Sequence, residues 1–442
     1  MKQLFNNDWF FHREPLETTI DTFFNTKDWE PVDIPHDWMI YDSKDLYAQG
    51  VSCYKKTFTV PALGLDRLSI LFEGVYMDNE VYLNGEKIFT WPYGYSQFEI
   101  DLTSYVKEGE NTIWVKNTYE LPNSRWYPGS GIYRNVWLVR RPAVHFTTDG
   151  GYLSAKKEGD AFILHADYEI QNDTDSACEV TLFHTVLAPD GEVAGTSKET
   201  LTVPCGLTVN KQTMTFEAPL LWDIESPNLY TVHSEIIKDE TAFDSSDDRF
   251  GFRTIAFDPD KGFFLNGRNV KINRSCEHHT LGALGAAMNR EAVRRQLTIM
   301  QKMGVNAIRS AHNMPAPELM ELCDEMGLLL YTESFDMWEH CKTDYDYGNY
   351  FKDWWKIDAK EAIIRIRNHP SIILYSLGNE IRDNLNSLEG RRYFLDLRSL
   401  TRKLDPTRPI TMALFRPKQM RLFENGFSEM LDVIGQNYGE KG

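Results

Sequence analysis

The sequence predicts a multidomain β plus α/β chain: two β-sandwiches, then a (β/α)8 TIM barrel that stops after about six strands. Three observations predict it. Up to about residue 142 the chain reads as short strands broken by turns, and from 143 to 256 apolar and polar residues alternate with a period of two. After Phe257 the period changes to 3.6, with helices and apolar strands in turn. At about 150 residues per domain, 442 residues suit three units, taken here as 1–142, 143–256 and 257–442.

In the first unit Val81, Leu83 and Ile88 flank Asn84-Gly85, the dipeptide best suited to the positive φ angles of a tight hairpin. Tyr54–Val60, Leu68–Phe72, Thr112–Asn117 and Asn135–Val139 are further strands, and so many short strands without helices suggest a jelly roll. Arg140-Arg141-Pro142 leads into the second unit, where Leu164–Ile170 alternates strictly and Asp190-Gly191 marks a hairpin. With Thr200–Val203 and Leu229–Ile237 this makes an immunoglobulin-like sandwich of about 110 residues.

The third unit begins with a hairpin at Asn266-Gly267 that leads into a first barrel strand, Val270–Asn273. Asn289 caps a helix with Val293, Leu297 and Met300 on one face, and Gly304 stops it. The strand Asn306–Arg309 follows, then a helix opened by Pro315 and Pro317 and closed by Gly327. Leu328–Tyr331 reads as a strand buried on both faces, Trp354–Arg367 as a helix, and Ile372–Leu377 as the next strand. A helical stripe of Tyr393, Leu397, Leu400 and Leu404 precedes the strands Ile410–Ala413 and Val433–Asn437.

Composition narrows the function. With 42% apolar and 25% charged residues the chain is an ordinary globular protein, and no run of eighteen apolar residues offers a membrane span. The 65 acidic against 47 basic residues give a net charge of −18, which repels phosphate backbones and argues against nucleic acid; a neutral or cationic ligand suits it better. The start has no apolar signal region, and six scattered cysteines match neither a disulfide framework nor a zinc spacing, so free thiols in the cytoplasm are expected. Self-association is left open.

Polar residues gather where the barrel strands end. They are Glu277-His278-His279, Arg309 to Asn313, Glu333 with Asp336 and Trp338, Asn379-Glu380, and Gln436-Asn437-Tyr438. Acids, histidines, amides and aromatics at one barrel mouth suit a hydroxyl-rich ligand and acid/base chemistry. Each has a plainer alternative: Glu380 as a solvated loop acid, His312 as a hydrogen-bonded structural histidine, Trp338 as core. Their recurrence at five of six strand ends favours a site. His278 and His279 are neighbours and in an extended segment point to opposite faces, against a shared metal.

With these motifs the sequence resembles glycoside hydrolase family two, the β-galactosidase, β-glucuronidase and β-mannosidase family. The resemblance runs through Ile34–Trp38, Phe72–Met77, Asn123–Arg134, Glu277–Gly285, Ala307–Asn313 and Asn379-Glu380, and the histidine-pair segment is most like that of the β-galactosidases. It implies a retaining glycosidase of terminal β-glycosides, with Glu380 as general acid/base and Asn379 at the sugar 2-hydroxyl. It also implies sugar-holding or orienting positions at His278, His312, Glu333 and Tyr438. Asn123 matches a position where the first sandwich reaches the sugar, filled by Asp in some relatives, and Trp338 is taken as a sugar platform. Glu333 matches a magnesium-ligand position in some relatives; no metal is assigned. The resemblance also implies a second Glu, the nucleophile, beyond Asn437-Tyr438. The sequence given stops at Gly442, and Glu440 lies too close to Tyr438 to be that residue, so the 442 residues alone are expected to be silent. The alternatives are a vestigial sugar-binding protein and a metal-dependent barrel hydrolase built on His278, His279 and His312.

Overall fold

The computed structural model describes residues 1–415 and 421–438; Glu440 lies outside them. In the first sandwich a six-stranded antiparallel sheet, in the order Glu30–Val32, Trp9–Glu14, Gly50–Val60, Gly109–Tyr119, Asn79–Leu83 and Glu86–Trp91, faces a four-stranded one. The second sheet runs Lys2–Leu4, Val136–Arg141, Arg67–Phe72 and Phe98–Asp101. The hairpin falls at Asn84-Gly85, whose φ angles of 53° and 91° are those its residues tolerate. Burial alternates along Gly109–Tyr119, so one face points into the sandwich and the other outward. Between Tyr119 and Val136 the chain leaves the sheets and passes to the barrel.

The second sandwich packs Val144–Glu158, Ala161–Asn172 and Gly206–Glu217 against Val193–Val203, Cys178–Leu187, Tyr230–Lys238 and Thr241–Phe250. Ala161–Asn172 alternates buried and half-buried positions along its whole length, the pattern its sequence shows. The six cysteines are free thiols.

Six parallel strands then form an arc in sequential order: β1 (Arg274–Glu277), β2 (Ala307–Ser310), β3 (Leu329–Glu333), β4 (Ile372–Asn379), β5 (Ile410–Phe415) and β6 (Gly435–Asn437). The helices between them are α1 (Arg290–Lys302), α2 (Pro317–Met326), α3 (Gly348–Ile366) and α4 (Leu388–Leu404). Asn289 caps α1 by accepting from the Ala292 amide at 3.0 Å, and Ser387 does the same for α4 from Gly390 at 3.1 Å. No helix among the described residues is long and apolar enough to cross a membrane.

One element differs from expectation. Val270–Asn273 is not the first barrel strand; β1 begins four residues later and pairs Arg274 with Ala307. Val270 stays with the preceding hairpin, its amide bonded to the Phe263 carbonyl at 2.9 Å and its side chain packed with Phe263 and Leu265. The real strand, Arg-Ser-Cys-Glu, is polar and only half-buried, so hydrophobic pattern pointed to its apolar neighbour instead.

Candidate active site

The strand ends converge on one ion-paired network. Arg309, at the end of β2, places Nη2 2.8 Å from both oxygens of Glu333, the last residue of β3. The same nitrogen donates to Asn379 Oδ1 at 2.9 Å. His312 Nδ1 lies 2.8 Å from Glu333 Oε2, and Ser376 Oγ donates to Oε1 at 3.1 Å. Burial alone would push the Arg309 guanidinium down, but the adjoining Glu333 charge overrides it and holds it above its usual value. Both Glu333 oxygens are therefore taken by cationic or neutral donors. A magnesium ion at Glu333 would face a guanidinium 2.8 Å away, so these residues do not fit that metal.

Asp336 is the second hub. Its Oδ1 accepts from Arg125 Nη2 at 2.7 Å, Lys342 Nζ at 2.9 Å and Asn379 Nδ2 at 2.8 Å. Burial would raise this carboxyl, but the Lys342 and Arg125 charges outweigh it and hold it below the usual range. Lys342 also donates to the Asn379 carbonyl at 2.7 Å, so the residue before Glu380 is fixed through side chain and backbone alike.

Glu380 follows β4 with φ of 45°, a left-handed conformation that costs a non-glycine residue about 1 kcal/mol or more. Its amide donates to the Ala413 carbonyl on β5 at 2.7 Å, which pins that conformation. The side chain is 13% exposed; Oε1 accepts from Asn437 Nδ2 at 2.8 Å, and Arg125 Nη1 stands 3.7 Å from Oε2. An open cleft of about 1210 Å³ runs past Glu380, Arg125, Lys342 and Tyr438. Tyr438 is 70% exposed at its rim, against Phe415.

The first sandwich supplies part of this wall. From the segment after Tyr119, Trp126 stacks on His278 with ring centroids 5.0 Å apart and meets His312 edge-on at 5.7 Å. His278 and His312 are themselves 5.4 Å apart. Burial, then the nearby His312, lowers the His278 pKa. His279 points the other way, to the Pro128 carbonyl at 2.7 Å, and burial takes it down to about 3. Three histidines thus do not face one point, which removes the basis for a metal-dependent hydrolase built on them.

Asn123 is buried at the junction; its Oδ1 accepts from the Tyr76 hydroxyl at 3.2 Å and its Nδ2 donates to the Glu120 carbonyl at 2.6 Å. It borders a small cavity of about 20 Å³ shared with Trp126, His312 and Asp336. Trp338 corrects an expectation: it is 0% exposed, its indole N–H held by the Leu377 carbonyl at 3.0 Å, and its ring packs with Phe351 and Tyr393 in the core. A ring so enclosed offers no face to a sugar.

Sequence reading brought together Glu380, Asn379, Glu333, His312, His278 and Tyr438, and missed Arg125, Lys342 and the hub role of Asp336. Arg125 carries no signal in its own strand pattern. What marks it is a cation beside two aromatics in a glycine-rich segment that no strand claims.

Three family models match this chain in order: the family 2 glycosyl hydrolase sugar binding domain over residues 26–142, a family 2 glycosyl hydrolase model over 152–253, and the family 2 TIM barrel domain over 259–435. The chain is similar to the β-galactosidase BoGH2A of Bacteroides ovatus, 37% identical over 99% of this chain and 56% of that protein. It is also similar to a putative β-glucuronidase of Formosa agariphila, 34% identical over 98% of this chain and 42% of that protein. Among solved structures, a family 2 glycosyl hydrolase of Bacteroides cellulosilyticus superposes with a TM-score of 0.93 at 31% identity, covering 99% of this chain and 59% of that one. A β-glycosidase of Bacteroides vulgatus gives 0.87 at 35% identity, over 99% and 56%. The chain thus spans about half the length of the relatives it matches. Between them the three models take in both sandwiches and the barrel, so the chain belongs to glycosyl hydrolase family 2.

Proposed function

We propose that the chain belongs to a retaining β-glycosidase acting on terminal β-galactosides, with units 1–142, 143–256 and 257–442 as site-building sandwich, second sandwich and barrel. The observation that carries this reading is Glu380: a carboxyl held in a left-handed backbone at a strand end, facing an open cleft, with one oxygen already engaged. Because Asn437 donates to Oε1, Oε2 is the oxygen left to pass a proton to the leaving group. Retaining glycosidases set two carboxyls about 5–5.5 Å apart, one protonating the leaving oxygen and one attacking the anomeric carbon. Glu380 takes the first role. Glu333 is unsuited to the second, since Arg309, His312 and Ser376 hold both its oxygens. The attacking carboxylate is expected from residues following Tyr438, and no step is assigned to it.

The remaining residues hold the sugar. Asn379 is 0% exposed, its Oδ1 taken by Arg309 and Asn437 and one Nδ2 hydrogen by Asp336, so its sugar-facing role, matched at the 2-hydroxyl, requires a sugar to displace one of these neighbours. His278 and His312 meet edge to face, Tyr438 stands at the rim of the cleft, and Asn123 borders the small cavity on the sandwich side. Glu333 orients Arg309 and His312. The free thiols support a cytoplasmic setting, and sedimentation would test whether the chain self-associates.

Galactose is supported by the histidine-pair segment and by the similarity to the Bacteroides ovatus β-galactosidase. A β-glucuronide is favoured by a different observation, the cations Arg125, Lys342, Arg382 and Arg421 along the cleft. Nitrophenyl β-galactoside, β-glucuronide and β-mannoside, assayed on protein that includes the residues following Tyr438, distinguish them. Fastest release from the β-galactoside is expected; faster release from the β-glucuronide overturns the sugar assignment, and sugar binding without turnover overturns the enzyme.

A further inference from the structure

Asp37 lies in the first sandwich, far in sequence from the barrel, and is 1% exposed. Its carboxylate accepts four hydrogen bonds. Oδ1 takes the amides of Met39 at 3.1 Å and Ser130 at 3.0 Å; Oδ2 takes the Tyr127 hydroxyl at 2.7 Å and the Ala286 amide at 2.8 Å. These donors come from three separate segments. Met39 belongs to the short turn that Asp37 itself caps, Tyr127 and Ser130 to the segment that carries Arg125 and Trp126, and Ala286 to the loop that follows His278 and His279.

The packing around it allows little else. Gly129 and Gly285 both have positive φ, 70° and 60°, and a Cβ on either would run into Asp37. An aspartate is short enough to sit between these two backbones and carries enough lone pairs to satisfy all four donors. A carboxylate in that place binds the two segments to each other rather than to water, and charged acceptors make the stronger hydrogen bonds. The first of these segments carries Trp126, which stacks on His278 a few residues ahead of the second. That first segment also carries Arg125, which reaches Asp336 and Glu380.

We infer that Asp37 is a positioning residue: it clamps the sandwich segment 123–134 to the barrel loop 281–287 and so sets where Trp126 and Arg125 stand over the barrel mouth. Its consequence for catalysis rests on the glycosidase reading; its geometry does not, and the test therefore uses no turnover.

Ring current from the stacked Trp126 indole acts on the His278 imidazole, so the NMR signal of the His278 Cε1 proton reports how closely the two rings are held. In Asp37→Asn the side chain keeps its shape, but its NH2 faces the Ala286 N–H, and the clamp opens. The His278 signal is expected to move downfield, as it does in Trp126→Leu, while that of His184 in the second sandwich stays in place. Tyr127→Phe removes one of the four donors and should move the His278 signal the same way by a smaller amount, which covers the case in which Asp37→Asn fails to fold. Asn79→Ala, which removes side-chain bonds to Val75 and Trp91 elsewhere in the same sandwich, is the destabilised control and should leave His278 unmoved. An unmoved His278 signal in a folded Asp37→Asn, or in Tyr127→Phe if the first variant does not fold, overturns the inference. So does an equal shift in Asn79→Ala. Failure of the glycosidase reading would appear instead in the nitrophenyl assays, with these signals behaving as described.

Discussion

The two sandwiches are built by the same rule, alternating strands closed over a shared interior, yet they relate to the barrel in opposite ways. The interior of the first continues into the barrel: Phe72, Tyr95 and Tyr133 belong to the same apolar cluster as Phe335, Tyr347 and Phe351. The interior of the second is its own, drawn from residues between Val144 and Phe252. It meets the barrel through a separate small cluster, where Trp222, Ile224 and Leu229 pack with Ala307, Leu329 and Ile373, and through polar contacts such as Tyr152 to Asp405 at 2.9 Å, the Leu153 amide to Asn368 at 2.9 Å and Arg249 to Glu325 at 3.0 Å. A domain that shares its core is held in one place and can lend side chains to a site that tolerates little displacement. A domain with a separate core can shape the assembly without entering the chemistry. Arg125 and Trp126 come from the first sandwich; among the described residues, none lining the cleft comes from the second.

The largest expected effect fixes the scale for that contrast. In protein that includes the residues following Tyr438, as in all activity tests below, Glu380→Gln keeps shape and removes the transferable proton, so hydrolysis of substrates with poor leaving groups should fall roughly 10²–10⁴-fold, and of activated aryl glycosides less. Unchanged turnover of alkyl glycosides would remove Glu380 from the acid/base role. Next comes the paired test of the sandwiches. Arg125→Met strips a partner from the buried Asp336 and from the neighbourhood of Glu380, and removing one member of such a pair costs about 2–5 kcal/mol. A drop in kcat/KM of roughly 30-fold or more is expected. Arg249→Met breaks an ion pair of the second sandwich that is largely open to water, worth under about 1 kcal/mol, and should leave kcat/KM alone. Comparable losses in both variants would end the distinction between the two domains.

Asn123 sharpens the comparison within the first sandwich. Both ends of its amide are engaged within the first sandwich, by Tyr76 and Glu120. Asn123→Ala should therefore lower stability by about 1–3 kcal/mol through the partners it leaves unpaired, with a smaller effect on sugar affinity. Thermal unfolding and titration with the sugar separate the two; a lost affinity at unchanged melting temperature would make Asn123 a direct sugar contact.

How much of this was legible depends on which force places a residue. Elements set by local burial were readable: the alternation in Ala161–Asn172, the Asn289 cap, and the apolar strand Leu329–Glu333. The strand Arg274–Glu277 was not, because its place in the arc comes from pairing with β2 and its residues are polar. The position of Glu380 was readable because it follows an apolar strand. Arg125 and Asp37 were not. Each acts on residues roughly 90 or more positions away, and no periodicity records such a partner. Trp338 misled for a related reason: beside Asp336 it looked like a site aromatic, but the ring turns inward against Phe351 while the neighbouring carboxylate faces the network.

The smallest effect concerns pH, and one buried carboxyl against the first sandwich and one inside the second bear on it. Asp358 on α3 sits where the first sandwich meets the barrel, accepting from Ser96 Oγ at 2.5 Å and from the Tyr347 hydroxyl, and burial pushes it up to about 7. Asp248 lies within the second sandwich, bonded by the Tyr168 hydroxyl at 2.9 Å, and burial pushes it up to about 6. In both cases the folded state holds the proton more tightly than the unfolded chain, whose carboxyl titrates near 3.8. The stability each group contributes is complete below that value and is lost as pH rises through the folded pKa. For Asp248 most of the loss is over by pH 6, and only a few tenths of a kcal/mol remain between pH 6 and 8. For Asp358 that same interval still costs about 1 kcal/mol, because its folded pKa falls in the middle of it. Glu361, one turn further along α3 and also raised to about 7 by burial, acts in the same direction. Stability measured by denaturant should therefore decline from pH 6 to pH 8, and Asp358→Asn should flatten that decline more than Asp248→Asn does. If the second substitution flattens it more, the pH-sensitive junction is the interior of the second sandwich and not the interface that holds the first sandwich against the barrel.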